Sequence, residues 1–420
     1  MKNEKIKIKK SCRACSRRPL TQILSLGELY VSDFLDPDKE YLAGKAPLDL
    51  VLCESCGLLQ LKHTVSHESL YRNYWYRSGV NKTMAAELQN IAEEAEKIVS
   101  LKSGDFVLDI GSNDGTLLRS YTVPGLKLVG FEPARNIVEK HRREGLDKIF
   151  VDFFNFPAWQ KEFGGKKAKI INAIAMFYDL DDPNTFIADV VKCLDREGLF
   201  IIQMAYLPLI LKRNAFDGMC HEHLEYYTLL ALESLLMRHG LEVFNVEPRD
   251  INEGSFRTYI RRSGGGKSLR IPEGAEERVK QMREAEAALN LMDERVYRDF
   301  AKRVDAIRDK VRNFIESEVR SGKKIYVYGA STKGNTLLQY FGLDNHLIVA
   351  AAERNPDKWG KRTVGTNIPI ISEEEARKAK PDYFLVLPWH FIKEFMEREE
   401  EFLKNGGRFI VPLPEFRIVK

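Results

Sequence analysis

No stretch of this chain is apolar for long enough to cross a membrane; its longest hydrophobic runs are strand-sized. A surplus of charge is missing too. The 65 Lys and Arg against 61 Asp and Glu leave a net charge of +4. That small balance offers no broad basic surface for a nucleic acid. The first ten residues are Lys-rich, but no apolar core or cleavage site follows them. They read as a solvated tail and not as a secretory signal. Cysteine is scarce, at six residues, which fits a reducing cytoplasm better than a disulfide framework. There is no Gly-x-Gly-x-x-Gly fingerprint and no internal repeat of fixed period.

What cysteine there is falls in a pattern. Cys12 and Cys15 form one Cys-x-x-Cys knuckle, and Cys53 and Cys56 form a second. Four thiolates in two knuckles suit a tetrahedral Zn²⁺, and a set with no His, carboxylate or open position describes a structural site. Two disulfides or a redox dithiol are the competing readings. Disulfides need an oxidising compartment, and a redox pair usually stands alone near a βαβ unit. A metal contributes most where the core is marginal, as in a module of residues 1–75.

At 420 residues the chain has room for about two to four domains. Strands are expected at 105–110, 127–132, 148–151, 168–174 and 198–204, with helical patterns between them. That alternation predicts an α/β fold with a parallel sheet covered on both faces. Two further strands, 241–247 and 255–262, lack a helix between them and read as a hairpin at the end of the sheet. The Gly-rich "RSGGGKS" at 262–268 marks a boundary. Charge-dense helices fill 273–320, and a second strand-helix series runs from "KKIYVYGASTKGN" to the end.

The first Gly-rich turn, "DFVLDIGSNDGTLL", carries Asp109, Gly111, Asn113, Asp114 and Gly115 between a strand and a helix. Glu132 ends the next strand, where a carboxylate commonly accepts from ribose hydroxyls. Asp152 and Phe153 follow the third strand, placed for the edge and face of an adenine. NAD competes as the ligand. However, Asp114 would face its pyrophosphate, and like charges repel. S-adenosylmethionine, with an amino group, a sulfonium and no phosphate, suits the acidic loop better.

"FDGMCHEHLEYYTL" packs His221, Glu222, His223, Glu225, Tyr226 and Tyr227 into seven positions. A metal site is the alternative reading, but His-x-His does not share a helix face and lacks further ligands. General acid–base chemistry explains the mixture better, since imidazole titrates near neutrality.

The knuckles, "LDIGSNDGTLL", "CHEHLEYY", the Gly-Ser-x-Arg element in "NEGSFRTYI", "YGASTKGNTLL" and "LVLPWHF" occur in one order. In this the chain resembles the sugar C-methyltransferases of deoxysugar biosynthesis, typified by the tetronitrose C-3′-methyltransferase. The resemblance covers nearly the whole length. It implies a zinc-binding domain (1–75), a class I S-adenosylmethionine-dependent methyltransferase domain (76–263) and a C-terminal Rossmann-like domain without its own cofactor (264–420). It implies methyl transfer to the carbon next to the ketone of a nucleotide-linked 4-keto sugar, with His223 as general base and Glu222 beside it. Tyr76 matches a Tyr that reaches the substrate. Two positions depart from the family's pattern. Cys220 stands where a Tyr is usual, and Tyr178 and Asp179 stand where a His is usual.

On this reading the base makes an enolate whose oxygen needs a donor, for which Tyr76, His221 and Tyr226 are candidates. Arg257, Lys333 and Asn335 are candidates to hold the sugar nucleotide's diphosphate, the last two at a helix N-terminus. The second strand of the C-terminal series shows no acidic residue closing it in the expected way. The rival functions are O- or N-methylation of a small metabolite, and a methyltransferase scaffold that binds without activity. A cytoplasmic monomer is expected, with a nucleotide sugar as small-molecule partner and neither nucleic acid nor membrane.

Overall fold

The computed structural model describes residues 6–41, 44–72, 74–140, 145–251 and 254–420. Residues 1–5, with much of the Lys-rich start, lie outside this range.

A seven-stranded sheet forms the centre. Its strands lie in the order Leu241–Arg249, Ser255–Arg262, Leu194–Ala205, Ala168–Ile174, Phe106–Ile110, Lys127–Phe131 and Lys148–Phe150. The last five in that order are parallel, and the first two form the antiparallel hairpin expected at the sheet's edge. Strands such as Ala168–Ile174 are near-continuous apolar runs because both faces are covered. The helix Lys82–Ile98 covers one face with Met84, Leu88, Ile91, Ala95 and Ile98, and the Asn81 side chain caps its N-terminus by accepting from Thr83 and Met84 N–H. From Phe106–Ile110 the chain builds outward first to one side and then to the other. The crevice at the carboxyl ends of Phe106–Ile110 and Ala168–Ile174 is therefore the switch point where α/β sheets bind ligands.

Before this sheet, strands Leu20–Tyr30, Lys45–Cys53 and Leu59–Leu61 form an antiparallel sheet. Its fourth strand comes from far along the chain: Glu225–Tyr226 pairs with Leu59–Leu61, and Leu61 N–H donates to the Leu224 carbonyl at 2.9 Å. The segment "CHEHLEYY" is thus stitched into the module that carries the knuckles.

After the central sheet, the helix Glu294–Arg320 buries Tyr297, Phe300, Val304, Ile307, Val311 and Ile315 along one stripe. Its charge-dense remainder faces outward, as the composition predicts. A six-stranded sheet follows in the order Ile370–Ser372, Ala351–Glu353, Ile325–Tyr328, Tyr383–Val386, Arg408–Val411 and Arg417–Val419, all parallel but the last. Two expectations need correction here. The helix Ala275–Ala288 packs on Leu241–Arg249, so the Gly-rich break at 262–268 does not separate it from the central sheet. And an acidic residue does close the second C-terminal strand. Glu353 accepts from Ala330 N–H (2.9 Å) and Asn355 N–H (2.8 Å), while Lys358 Nζ sits 3.5 Å from its carboxylate. The strand Ala351–Glu353 is three residues long, too short to register as a strand in the sequence.

The N-terminal and C-terminal parts also touch. Gln339 exchanges hydrogen bonds with the Tyr30 backbone (2.8 and 3.0 Å), and Phe34–Leu35 pairs with Arg362–Thr363.

Candidate active site

The knuckles converge. The sulfurs of Cys12, Cys15, Cys53 and Cys56 lie within 4.8 Å of one another, with Cys12–Cys56 at 3.6 Å and Cys15–Cys53 at 3.5 Å. A tetrahedron with zinc–sulfur bonds of about 2.3 Å has edges of about 3.8 Å. The sulfurs therefore fit one zinc ion, and no disulfide joins them.

At the switch point, Gly111 (φ +73°) and Gly115 (φ +79°) turn the loop in the left-handed region. A Cβ on Gly111 would come within 3.1 Å of Met176, so glycine keeps the loop close to the neighbouring strand end. Asp109 is buried at the end of its strand. Glu132, also buried, accepts from Asn113 N–H (2.7 Å) and Ala134 N–H (2.8 Å) and so ties the loop to the second strand. Asp109 and Glu132 give the crevice an acidic wall that suits a cationic ligand. Among the predicted loop side chains, Asn113 and Asp114 have a different task. Asn113 Oδ1 accepts from Ser78 N–H (3.0 Å), and its amide donates to the Tyr76 carbonyl (3.0 Å). Asp114 accepts from Gly79 N–H (2.9 Å) and from the Thr116 hydroxyl (2.6 Å). Both hold the segment 74–80 against the loop. Asp152 pairs with Arg72 at 3.0 Å, and the Arg72 guanidinium lies 4.9 Å from the centre of the Phe153 ring.

His223 stands beside this crevice. Its Nδ1 lies 2.8 Å from the Gly218 carbonyl, and its ring centre lies 4.4 Å from that of Tyr178. A carbonyl oxygen can only accept. In the neutral ring Nδ1 therefore carries the proton and Nε2 the lone pair. Leu224 N–H donates to the Tyr178 carbonyl at 2.8 Å, which fixes the loop to the turn after Ala168–Ile174.

Around it lies a cluster of acids and hydroxyls. Glu222 is buried with Oε2 unpartnered, and burial raises its carboxyl. Asp179 has an unpartnered buried Oδ1; burial and the neighbouring Glu222 push it well up. Burial and Glu222 likewise raise the Cys220 thiol. Lys333 reaches in from the helix Thr332–Phe341 and opposes these shifts at Asp179, Glu222 and Cys220. It also opposes the burial that pushes the Tyr76 hydroxyl up to about 12.

Three predicted site residues have their polar groups bonded to other parts of the protein. His221 is buried with Nε2 3.0 Å from the Ala46 carbonyl, and burial lowers it to about 4. It is neutral, and its single N–H is spent on Ala46, so it cannot donate to an enolate. The Tyr226 hydroxyl donates to the His223 carbonyl at 3.0 Å and braces the loop. Arg257 is fully buried in the edge hairpin, bonded to Glu87 (2.7 Å), Gln203 (2.7 Å) and Asn90 (3.0 Å). A guanidinium so enclosed cannot meet a diphosphate. Asn335 is also buried, at 1% exposure, with both amide atoms unpartnered. Two site residues went unpredicted. The Tyr71 hydroxyl donates to the Glu222 carbonyl at 2.8 Å, and Tyr71 and Tyr74 both lie in the field of Asp179 and Glu222. Their signal was the aromatic density of "LYRNYWY".

Known proteins share this organisation. A family model described as "Putative zinc binding domain" matches residues 12–71. One described as "Methyltransferase domain" matches 76–246, and one described as "C-methyltransferase C-terminal domain" matches 250–414. C-methyltransferase NovU of Streptomyces niveus is 31% identical over 410 residues, 97% of this chain and 96% of its own. The chain belongs to the C-methyltransferase family. Among solved structures, mitomycin 7-O-methyltransferase MmcR is 16% identical with a TM-score of 0.34, covering 44% of this chain and 55% of its own. The magnesium protoporphyrin IX methyltransferase ChlM of Synechocystis PCC 6803, with bound SAH, is 13% identical with a TM-score of 0.32, covering 44% and 88%. As a C-methyltransferase the protein uses S-adenosylmethionine as methyl donor, and its four-cysteine cluster is a zinc site. Among the described residues no helix is long and apolar enough to cross a membrane.

Proposed function

We propose that this enzyme methylates the carbon next to the ketone of a nucleotide-linked 4-keto sugar, with His223 as the base. The observation that carries the reading is the Nδ1 contact to the Gly218 carbonyl, which assigns the basic lone pair to Nε2. A sugar C–H is not nucleophilic by itself, but a neighbouring ketone acidifies it. His223 Nε2 takes that proton, the carbon–hydrogen electron pair enters the enolate, and the enolate carbon attacks an electrophilic methyl. Bound S-adenosylmethionine would supply that methyl from its sulfonium, the sulfur keeping the electron pair of the broken sulfur–methyl bond and leaving as S-adenosylhomocysteine. Asp109 and Glu132 would hold it through its amino and ribose groups, with Phe153 beside the adenine.

The enolate oxygen needs a donor. Tyr76 remains available for this, since the protons of His221 and Tyr226 are committed elsewhere. It is 43% exposed. Lys333 lies close enough to favour a developing negative charge. We take the functional parts to be residues 1–75, 76–263 and 264–420, the last providing Lys333 and packing its first helix, Ala275–Ala288, back on the central sheet. Incubation with S-adenosylmethionine and a nucleoside-diphosphate 4-keto-6-deoxy sugar tests the reading. A new methyl signal bonded to a ring carbon supports it, and methyl on oxygen or nitrogen contradicts it.

A further inference from the structure

The turn Phe216–Gly218 supplies the carbonyl that orients His223, yet it is seated in the C-terminal part of the molecule. The Phe216 ring is fully buried, with its centre 5.6 Å from that of Tyr340 and 6.0 Å from that of Phe341. The helix Thr332–Phe341 packs directly on the turn. Asp217 is 2% exposed, and the Trp389 indole N–H donates to its Oδ2 at 3.0 Å. Trp389 follows the strand Tyr383–Val386 and is itself 6% exposed. The next carbonyl along the turn is that of Gly218, 2.8 Å from His223 Nδ1.

We infer that Trp389 and Asp217 are positioning residues for His223. The indole clamps the Asp217 carboxylate and so anchors the turn one residue before the Gly218–Met219 peptide, whose carbonyl meets His223. The Gly218 carbonyl then points at Nδ1 and keeps the proton there, leaving Nε2 as the basic nitrogen. Which ring nitrogen is protonated is set by the partner of the other. A rotated Gly218 carbonyl would let the tautomers mix and the ring swing. This links "LVLPWHF" to "FDGMCHEHLEYY", two motifs separated by more than a hundred positions. It rests on the reading of His223 as base, and it assigns the C-terminal part a catalytic consequence without any contact to the reacting atoms.

The test uses the full-length enzyme with Trp389→Phe, Asp217→Asn and Asp217→Ala. Trp389→Phe keeps an aromatic ring in place and removes the indole donor. It is expected to lower kcat and substrate C–H exchange together by on the order of 10- to 10²-fold, the scale of a small misplacement of a reacting group. KM and S-adenosylmethionine affinity stay unchanged, and the limb of the pH–rate profile that reports His223 shifts. Asp217→Asn keeps an acceptor for the indole and retains most of the rate, whereas Asp217→Ala behaves like Trp389→Phe. The ring ¹⁵N shifts of His223, assigned with His223→Asn, report the tautomer independently of activity. The Nδ1–H form dominates in the wild type and loses population in Trp389→Phe. An unchanged tautomer signature in Trp389→Phe overturns the inference, as does an Asp217→Asn variant as impaired as Asp217→Ala. A His223→Asn enzyme that still exchanges the substrate proton at the native rate overturns the base assignment instead. The tautomer measurement still decides the link.

Discussion

Asp179 and Glu222 are both raised by burial, and the neighbouring Glu222 pushes Asp179 up further. Such groups tie stability to pH. A carboxyl whose folded pKa is raised stabilises fully below its unfolded value, near 4, and loses that contribution as pH climbs toward the folded pKa. Stability should therefore decline as pH rises from that unfolded value toward each folded pKa, at a slope of at most about 1.4 kcal/mol per pH unit per group. Asp179→Asn removes one such group. Urea unfolding at pH 5 and pH 8 should show a shallower decline in the variant than in the wild type; an equal or steeper decline would refute the assignment. Residue types alone left part of the site illegible. His221 and His223 are two positions apart, and Arg257 and Lys333 are both plausible diphosphate cations. Burial separates them. Ala46 claims the His221 proton and Glu87 claims the Arg257 guanidinium, partners 175 and 170 positions away that no local pattern reveals.

The second knuckle leads directly into the strand Leu59–Leu61, which pairs with Glu225–Tyr226 next to His223. The zinc site thus adjoins the start of a strand that holds the loop carrying His223. Replacing Cys53 with Ser leaves three thiolates and an open, weaker site. The expected result is loss of zinc in metal analysis, with faster amide exchange in both Leu59–Leu61 and Glu225–Tyr226. Exchange unchanged at 225–226 would show that the loop does not depend on the metal. Elements were the most legible level of the sequence. The knuckle spacing named the ligands, continuous apolar runs named the central strands, and the missing helix after Leu241–Arg249 named the hairpin. The pairing of Glu225–Tyr226 with a strand near the N-terminus was not legible, because a two-residue strand carries no periodicity.

As a whole the molecule places the switch-point crevice of one sheet between a zinc module and a second sheet. Cofactor binding belongs to the central sheet. Asp109→Ala should abolish S-adenosylmethionine binding in calorimetry. Glu132→Ala removes the acceptor for two backbone N–H groups and should weaken binding by roughly 1–3 kcal/mol, the usual cost of buried polar groups left unpaired. Full affinity in both variants would move the cofactor site elsewhere. His223→Asn should leave this affinity nearly intact, since the residues proposed to hold the cofactor lie at other strand ends. The central claim, that His223 makes a carbon nucleophile, is tested most directly by substrate deuterium exchange in heavy water. The nucleotide-linked 4-keto sugar is incubated with enzyme but no methyl donor. The account predicts that the wild type washes deuterium into the carbon next to the ketone and that His223→Asn slows this by roughly 10²–10⁴-fold, the range for loss of a general base. Exchange at the native rate in His223→Asn would contradict it.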